Sequence, residues 1–293
     1  MIDQRKADIY GLSAVLCWST VAAAFKLSLV YLSPAQLVMV ASIVSWVFLG
    51  GVLLYTNKLG LLLSSGRSDF VRSFLLGALN PFIYYLVLFK AYDLLPAQEA
   101  QSLNFTWALT MALLAAPILR HRLQLVEILA ALVSYSGVLV IATRGQVFSM
   151  EFASPLGVGL ALLSTVIWSV YWLLNTRETG DPVVSLFRNF SIALPMLLVY
   201  CLWTDELAGM HWRGLAGAAY VGLFEMGLSF ILWQYAMNLT ASTIRISSMI
   251  FLAPPLSLVI IYLILGEQIL PSTIGGLALI LAGLVLQHLR RAR

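Results

Sequence analysis

Ten stretches of mostly apolar residues, each close to twenty long, follow one another along this chain with short polar connections between them. They run Ile9–Tyr31, Ala35–Tyr55, Phe70–Phe89, Leu95–Leu119, Leu123–Thr143, Pro155–Thr176, Val183–Trp203, Arg213–Ala236, Thr243–Leu265 and Pro271–Leu289. A helix needs about twenty residues to cross about 30 Å of hydrocarbon. Backbone groups in a bilayer must be satisfied within the protein, and strand-length alternation is absent here, so helices are the only form open to these segments. Only 10% of the 293 residues are charged, against about 25% in soluble domains. The connections leave no room for a soluble domain. The expected fold is an all-α membrane protein with ten transmembrane helices.

The cations set an orientation. With both termini on one side, that side collects 13 of the 17 Lys and Arg, among them Arg67, Arg72, Arg120, Arg122 and Arg177. The other side holds Lys90, Arg144 and Arg213, and Lys26 lies inside the first span. Cytoplasmic loops carry the excess of Lys and Arg, so both termini are expected in the cytoplasm. The net charge of +4 is dispersed over loops, which argues against nucleic acid as a partner. Cys17 and Cys201 both fall inside spans, and His121, His211 and His288 stand far apart at span edges. No metal site, cofactor motif or catalytic group is read from them.

The chain also repeats itself at a spacing of 145 to 150 residues. Trp18-Ser19 matches Trp168-Ser169; Gly77, Asn80 and Ala91 match Gly222, Glu225 and Ala236; the fourth span resembles the ninth. Two halves follow, residues 1–145 and 146–293, each with five spans. An odd count turns the second half upside down in the membrane. Inverted repeats of this kind enclose a mid-membrane cavity between the halves and work by alternating access.

Trp18-Ser19 with Lys26 in the first span, and Leu265-Gly266-Glu267 followed by Gly275-Gly276 and Ala282-Gly283 in the last, carry a resemblance. They resemble the drug/metabolite transporter superfamily in its ten-helix EamA-like branch. Leu103-Asn104-Phe105-Thr106-Trp107 is similar to the fourth helix of the bacterial aromatic amino acid exporters of that branch. Two departures stand out: Arg120-His121-Arg122 where the family places an acidic residue, and Ala253-Pro254-Pro255 where many members have Glu-Pro. The resemblance implies a multi-pass exporter of small metabolites, amino acids first, in a bacterial-type inner membrane.

Glu225 is the deepest charge, near the middle of the eighth span. A carboxylate there costs on the order of 3 kcal/mol unless it meets a cavity or a partner. At 3.6 residues per turn it shares a face with Gly222, Ser229 and Trp233, and the repeat supplies Asn80 and Tyr84 on the third span. Gln98, Gln101 and Asn104 lie on one side of the fourth span with Trp107 adjacent, and Trp168 lies deep in the sixth. Exposed amides are costly in lipid. Glu225, Gln101, Asn104, Trp168, Tyr84, Asn80, Ser229, Trp107 and Lys26 are therefore the expected substrate-binding residues. Helix packing explains the small residues equally well, and snorkelling to the headgroups explains Lys26. Small residues on the fifth and tenth spans read as peripheral packing or a homodimer face.

Three other functions compete with amino acid export. A drug carrier fits the same architecture. A nucleotide-sugar carrier calls for several deep cations, and only Lys26 qualifies. An intramembrane enzyme on lipid-linked substrates needs a clustered acid–base pair or nucleophile, which one isolated carboxylate does not make.

Overall fold

Prolines and small polar residues punctuate the chain where its helices begin. Ser33 caps the second helix, and Gln36 reciprocates to the Ser33 N–H, with Pro34 in the first turn. Asp181 caps the seventh by accepting from the N–H of Val183 and Val184. Gly266, at φ +68°, ends the ninth in the left-handed region that favours glycine. The structure is a computed structural model and describes residues 2–63, 66–119, 125–148, 152, 154–175 and 180–291. Arg120, His121, Arg122 and Arg177, which entered the expectations above, lie outside the described residues.

The helices are α1 (Gln4–Leu29), α2 (Pro34–Tyr55), α3 (Arg67–Leu94), α4 (Ala97–Asn104 and Trp107–Leu119) and α5 (Leu125–Ala142). The second half repeats the set as α6 (Pro155–Asn175), α7 (Pro182–Trp203), α8 (Trp212–Leu239), α9 (Arg245–Leu265) and α10 (Pro271–Arg291). Among the described residues nine helices are long and apolar enough to cross a membrane. The fourth segment, expected as one continuous helix, is instead divided at Phe105-Thr106 into pieces of 8 and 13 residues.

The two halves pack by exchange. α1 lies along α8 and α9, and α6 lies in the same way along α3 and α4. α2 packs on the first part of α8, and α7 on the first part of α3. The pairs α2–α7 and α5–α10 map onto themselves, as a two-fold relation between inverted halves requires. Gly77 and Gly222 sit at corresponding contacts in this scheme. A Cβ on Gly77 would lie 2.5 Å from the Asn189 carbonyl of α7, and one on Gly222 would run into the Ala41 carbonyl of α2. Close backbone approach through small residues is the usual glue between membrane helices.

The small residues of α5 and α10 face each other as well. Gly137 meets Gly276, Gly283 meets Ser134, and the Ser134 hydroxyl donates to the Ile280 carbonyl at 3.0 Å. The fifth-span stripe of Ala130, Ser134 and Gly137 is thus used within the chain, whereas Ala278 and Ala282, the small residues read as a stripe on the tenth, are exposed, the inward contacts there coming from Gly276, Ile280 and Gly283.

Four helices are interrupted at mid-depth, again in repeat-related pairs. In α3, Asn80 is extended at φ −144°, ψ 118°, because the following Pro81 disfavours helical backbone before it. In α8 the corresponding turn, Phe224–Leu228, is widened, and the Ser229 hydroxyl donates to the Phe224 carbonyl. α4 breaks at Phe105-Thr106, and α9 tightens over Ile250–Leu252 before Pro254-Pro255. All four interruptions surround one space.

Candidate functional site

That space is a cavity of about 360 Å³ bounded by α1, α3, α4, α6, α8 and α9, within the usual range of about 300–1,000 Å³ for small-ligand sites. Helical spacing explains which side chains reach it. Trp18, Val21 and Phe25 form one face of α1; Tyr84, Leu88 and Tyr92 form one face of α3; Phe230, Trp233 and Met237 form one face of α8. Toward the end that carries the termini, the lining reaches Met111, Met237 and Ser247. Toward the opposite end it stops at Phe25, Leu88 and Tyr92, all buried.

Half of the lining residues are aromatic. Trp168 stacks on Tyr84 with ring centroids 4.6 Å apart, and Trp18 lies 5.4 Å from Trp233 and 6.0 Å from Phe230. Glu225 is the one charged side chain among the described lining residues. Its Oε1 accepts from the Tyr85 hydroxyl at 3.1 Å, while Oε2 is buried with no protein partner. The Gln101 Oε1 accepts from the Tyr92 hydroxyl at 2.7 Å, and Asn104 Nδ2 donates to Ser164 Oγ at 2.9 Å. The Trp172 indole N–H is also buried without a partner. Buried polar groups are normally satisfied, so unmet groups around one cavity mark the places where a polar ligand would bind.

Six of the nine residues expected to bind substrate come together here: Glu225, Gln101, Asn104, Trp168, Tyr84 and Trp107. The other three lie outside the lining. Asn80 is buried at the α3 interruption, with Oδ1 unpartnered. Ser229 is buried and spends its hydroxyl on the widened turn of α8. Lys26 turns toward the opposite end, where its Nζ donates to the Tyr92 and Leu95 carbonyls at 2.7 and 2.9 Å. It caps the last turn of α3, where a cation meets exposed carbonyls.

Lys26 belongs to a polar network that seals that end. Glu267 accepts from the N–H groups of Ala97 and Gln98 at 2.9 and 3.2 Å, capping α4 from the α9–α10 connection. The Gln98 side chain, read as cavity lining, instead bonds the Gln268 carbonyl, the Leu270 N–H and the Thr273 hydroxyl, each at 2.9 Å. Glu99 is 1% exposed and pairs with Arg144 Nε at 2.8 Å. Lys26, Gln98, Glu99, Arg144 and Glu267 border a separate polar depression beyond the seal.

Sequence reasoning passed over Tyr85 and Tyr92, which hold Glu225 and Gln101 in place. Tyr92 had a usable signal in its i, i+4, i+8 spacing from Tyr84 and Leu88. Tyr85 had none, since it lies one residue off that stripe.

Comparison with known proteins agrees with this architecture. Residues 5–143 and 155–287 each match the model of the EamA-like transporter family. The chain is 29% identical over 224 residues to a probable terminal-alkyne amino-acid exporter of Streptantibioticus cattleyicolor, covering 74% of this chain and 72% of that protein. It is 25% identical over 192 residues to the aromatic amino acid exporter YddG of Ancylobacter novellus, covering 63% and 64%. Across the first curated relatives the matches span 57%, 68% and 72% of their lengths. One protein of known crystal structure superposes over 99% of this chain and 100% of its own, with a TM-score of 0.66 and 22% identity, a likeness of fold.

Proposed function

This chain belongs to the EamA-like transporter family, and on that premise we propose that it exports amino acids, aromatic ones foremost, across a bacterial-type inner membrane by alternating access. The observation that carries the reading is the cavity itself: an unmet carboxylate oxygen on Glu225 and amides on Gln101 and Asn104, enclosed by indole and phenol rings. A carboxylate accepts from an ammonium, an amide N–H donates to a carboxylate, and aromatic rings hold an aromatic side chain. Direction follows from the charges. The lining extends toward the end that the excess of Lys and Arg assigns to the cytoplasm, and the opposite end is sealed by the Lys26 and Glu267 network. Such a conformation loads from inside. Two relatives whose names denote amino acid exporters support the same substrate class.

A second reading, export of hydrophobic organic cations, rests on the absence of any cationic side chain among the described lining residues. The same absence counts against a sugar nucleotide, whose diphosphate needs cations. Lys26, the one deep candidate, is committed to carbonyls outside the cavity.

Efflux of labelled L-phenylalanine from cells producing the protein tests the proposal. Glu225→Gln keeps the shape and removes the charge. Loss of a charged hydrogen bond worth about 1.5–3 kcal/mol predicts a fall of about tenfold to a hundredfold with membrane abundance unchanged. Efflux at the level of the unmutated protein across pH 5–8 would leave Glu225 as an interhelical hydrogen-bonding residue and remove the basis of the reading.

A further inference from the structure

The two amides that line the cavity ride on a very short helix. Gln101 and Asn104 belong to Ala97–Asn104, the first piece of α4, which the break at Phe105-Thr106 separates from the rest. Isolated helices shorter than about twelve to fifteen residues are marginal in water, and a segment with two glutamines, a glutamate and an asparagine among its eight residues gains nothing from lipid. Its placement therefore depends on what grips its start. Four N–H groups there need partners, and Pro96 at the N-cap has no side-chain hydrogen bond to give. The Pro96 carbonyl accepts from the N–H groups of Glu99 and Ala100 at 3.1 and 3.0 Å. Glu267, from the other half of the chain, accepts from the remaining two, Ala97 and Gln98, one on each carboxylate oxygen.

A carboxylate at a helix start also meets the positive end of the helix dipole. The Gln98 side chain adds bonds to the Gln268 carbonyl, the Leu270 N–H and the Thr273 hydroxyl. Five hydrogen bonds thus join the first turn of this helix to the second half of the chain. Gln101 lies one turn further along, about 5 Å. We propose that Glu267 is a positioning residue for the substrate site: it holds the Ala97–Asn104 helix from the opposite half, and through that one contact it both sets Gln101 and Asn104 at the cavity and keeps the outer end shut. The substrate role of the two amides rests on the amino acid reading above; the closure does not.

The repeat-related start of α9, at the other end of the membrane, is built differently. Its cap is Ser242, a residue of its own connection, whose Oγ accepts from the Arg245 N–H at 3.4 Å. An ion pair joins the halves there, Asp8 with Arg245 at 2.6 Å, but its arginine is 58% exposed, and exposed pairs contribute little. In sequence the place of Glu267 falls on Arg120-His121-Arg122, which offers no carboxylate. The clamp that Glu267 supplies at the outer end therefore has no carboxylate counterpart at that place, an asymmetry that favours the conformation closed outside and loading from the cytoplasm.

Access from outside reads the closure without any ligand. Leu88 marks the outer boundary of the cavity and is 2% exposed. With the two native thiols removed as Cys17→Ser and Cys201→Ser, Leu88→Cys offers one target to a membrane-impermeant methanethiosulfonate added to intact cells. Glu267→Ala is expected to raise the labelling rate at least tenfold, with Glu267→Gln, which keeps one acceptor oxygen, in between. Quenching of the cavity tryptophans in the purified full-length protein reads the amides: Glu267→Ala is expected to weaken L-phenylalanine binding about tenfold, Glu267→Gln less. Ser242→Ala removes a cap at the inner end, controls for general loosening, and is expected to change neither reading. If Glu267→Ala fails to accumulate in the membrane, Glu267→Gln supplies both. Labelling no faster in the Glu267 variants than with Glu267 intact, or equally fast in Ser242→Ala, overturns the proposal. Faster labelling with phenylalanine affinity unchanged overturns the positioning of the amides. Failure of the unmutated protein to bind phenylalanine overturns the amino acid reading instead, and the labelling rates then decide the role of Glu267 by themselves.

Discussion

Arg144 is nearly half exposed, but the carboxylate it holds is not. Glu99 keeps one oxygen on Arg144 and leaves the other buried without a partner, so removing the arginine strands a whole carboxylate at the sealed end. Breaking a buried pair costs more than the pair contributes. Arg144→Ala is therefore expected to destabilise the protein by about 2 kcal/mol, seen as a lower unfolding midpoint in detergent, and Glu99→Gln in the same chain should recover part of it. A midpoint unmoved by Arg144→Ala would mean that water already reaches Glu99. Depth made Glu225 legible, and the cost of amides in lipid made Gln101 and Asn104 legible. Lys26, Gln98 and Glu99 were harder, because their partners are carbonyls, N–H groups and an arginine on connections distant in sequence. No spacing within one span encodes such partners.

At the scale of the helix, the interruptions and close contacts position the cavity, and their legibility follows their chemistry. Pro81 announces the break in α3 in advance, and Pro254-Pro255 announces the one at α9. The widened turn of α8 and the division of α4 carry no proline, and only the repeat relation to their partners points to them. Gly222 has a comparably sharp role in holding α8 on α2. A methyl group there would run into the Ala41 carbonyl and crowd the Val44 side chain. Overpacking of this kind costs about 1–3 kcal/mol. Gly222→Ala is expected to lower thermal stability by that order and reduce transport with it, whereas Gly159→Ala, whose Cβ would meet nothing within 4 Å, should leave both unchanged. Equal effects at the two positions would separate stability from this contact.

For the whole molecule, span count and the weak repeat were enough to anticipate two inverted five-helix halves, since an odd number of crossings dictates the inversion. Which helix meets which was not legible, because apolar faces resemble one another and pairing is decided only in three dimensions. That pairing bears on how the protein is made. The ribosome delivers α1 and α2 long before α8 and α9, the helices they pack on, exist. Until then the cavity face of α1 and the Gly222 contact surface of α2 must wait in the bilayer or against the insertion machinery. Nascent chains halted after α5 should therefore stay sensitive to protease, and resistance should appear only in chains long enough to include α9. A protease-resistant five-helix intermediate would show that the first half completes its packing alone. The same interleaving makes the last helices of the chain the ones that decide whether the earliest survive quality control.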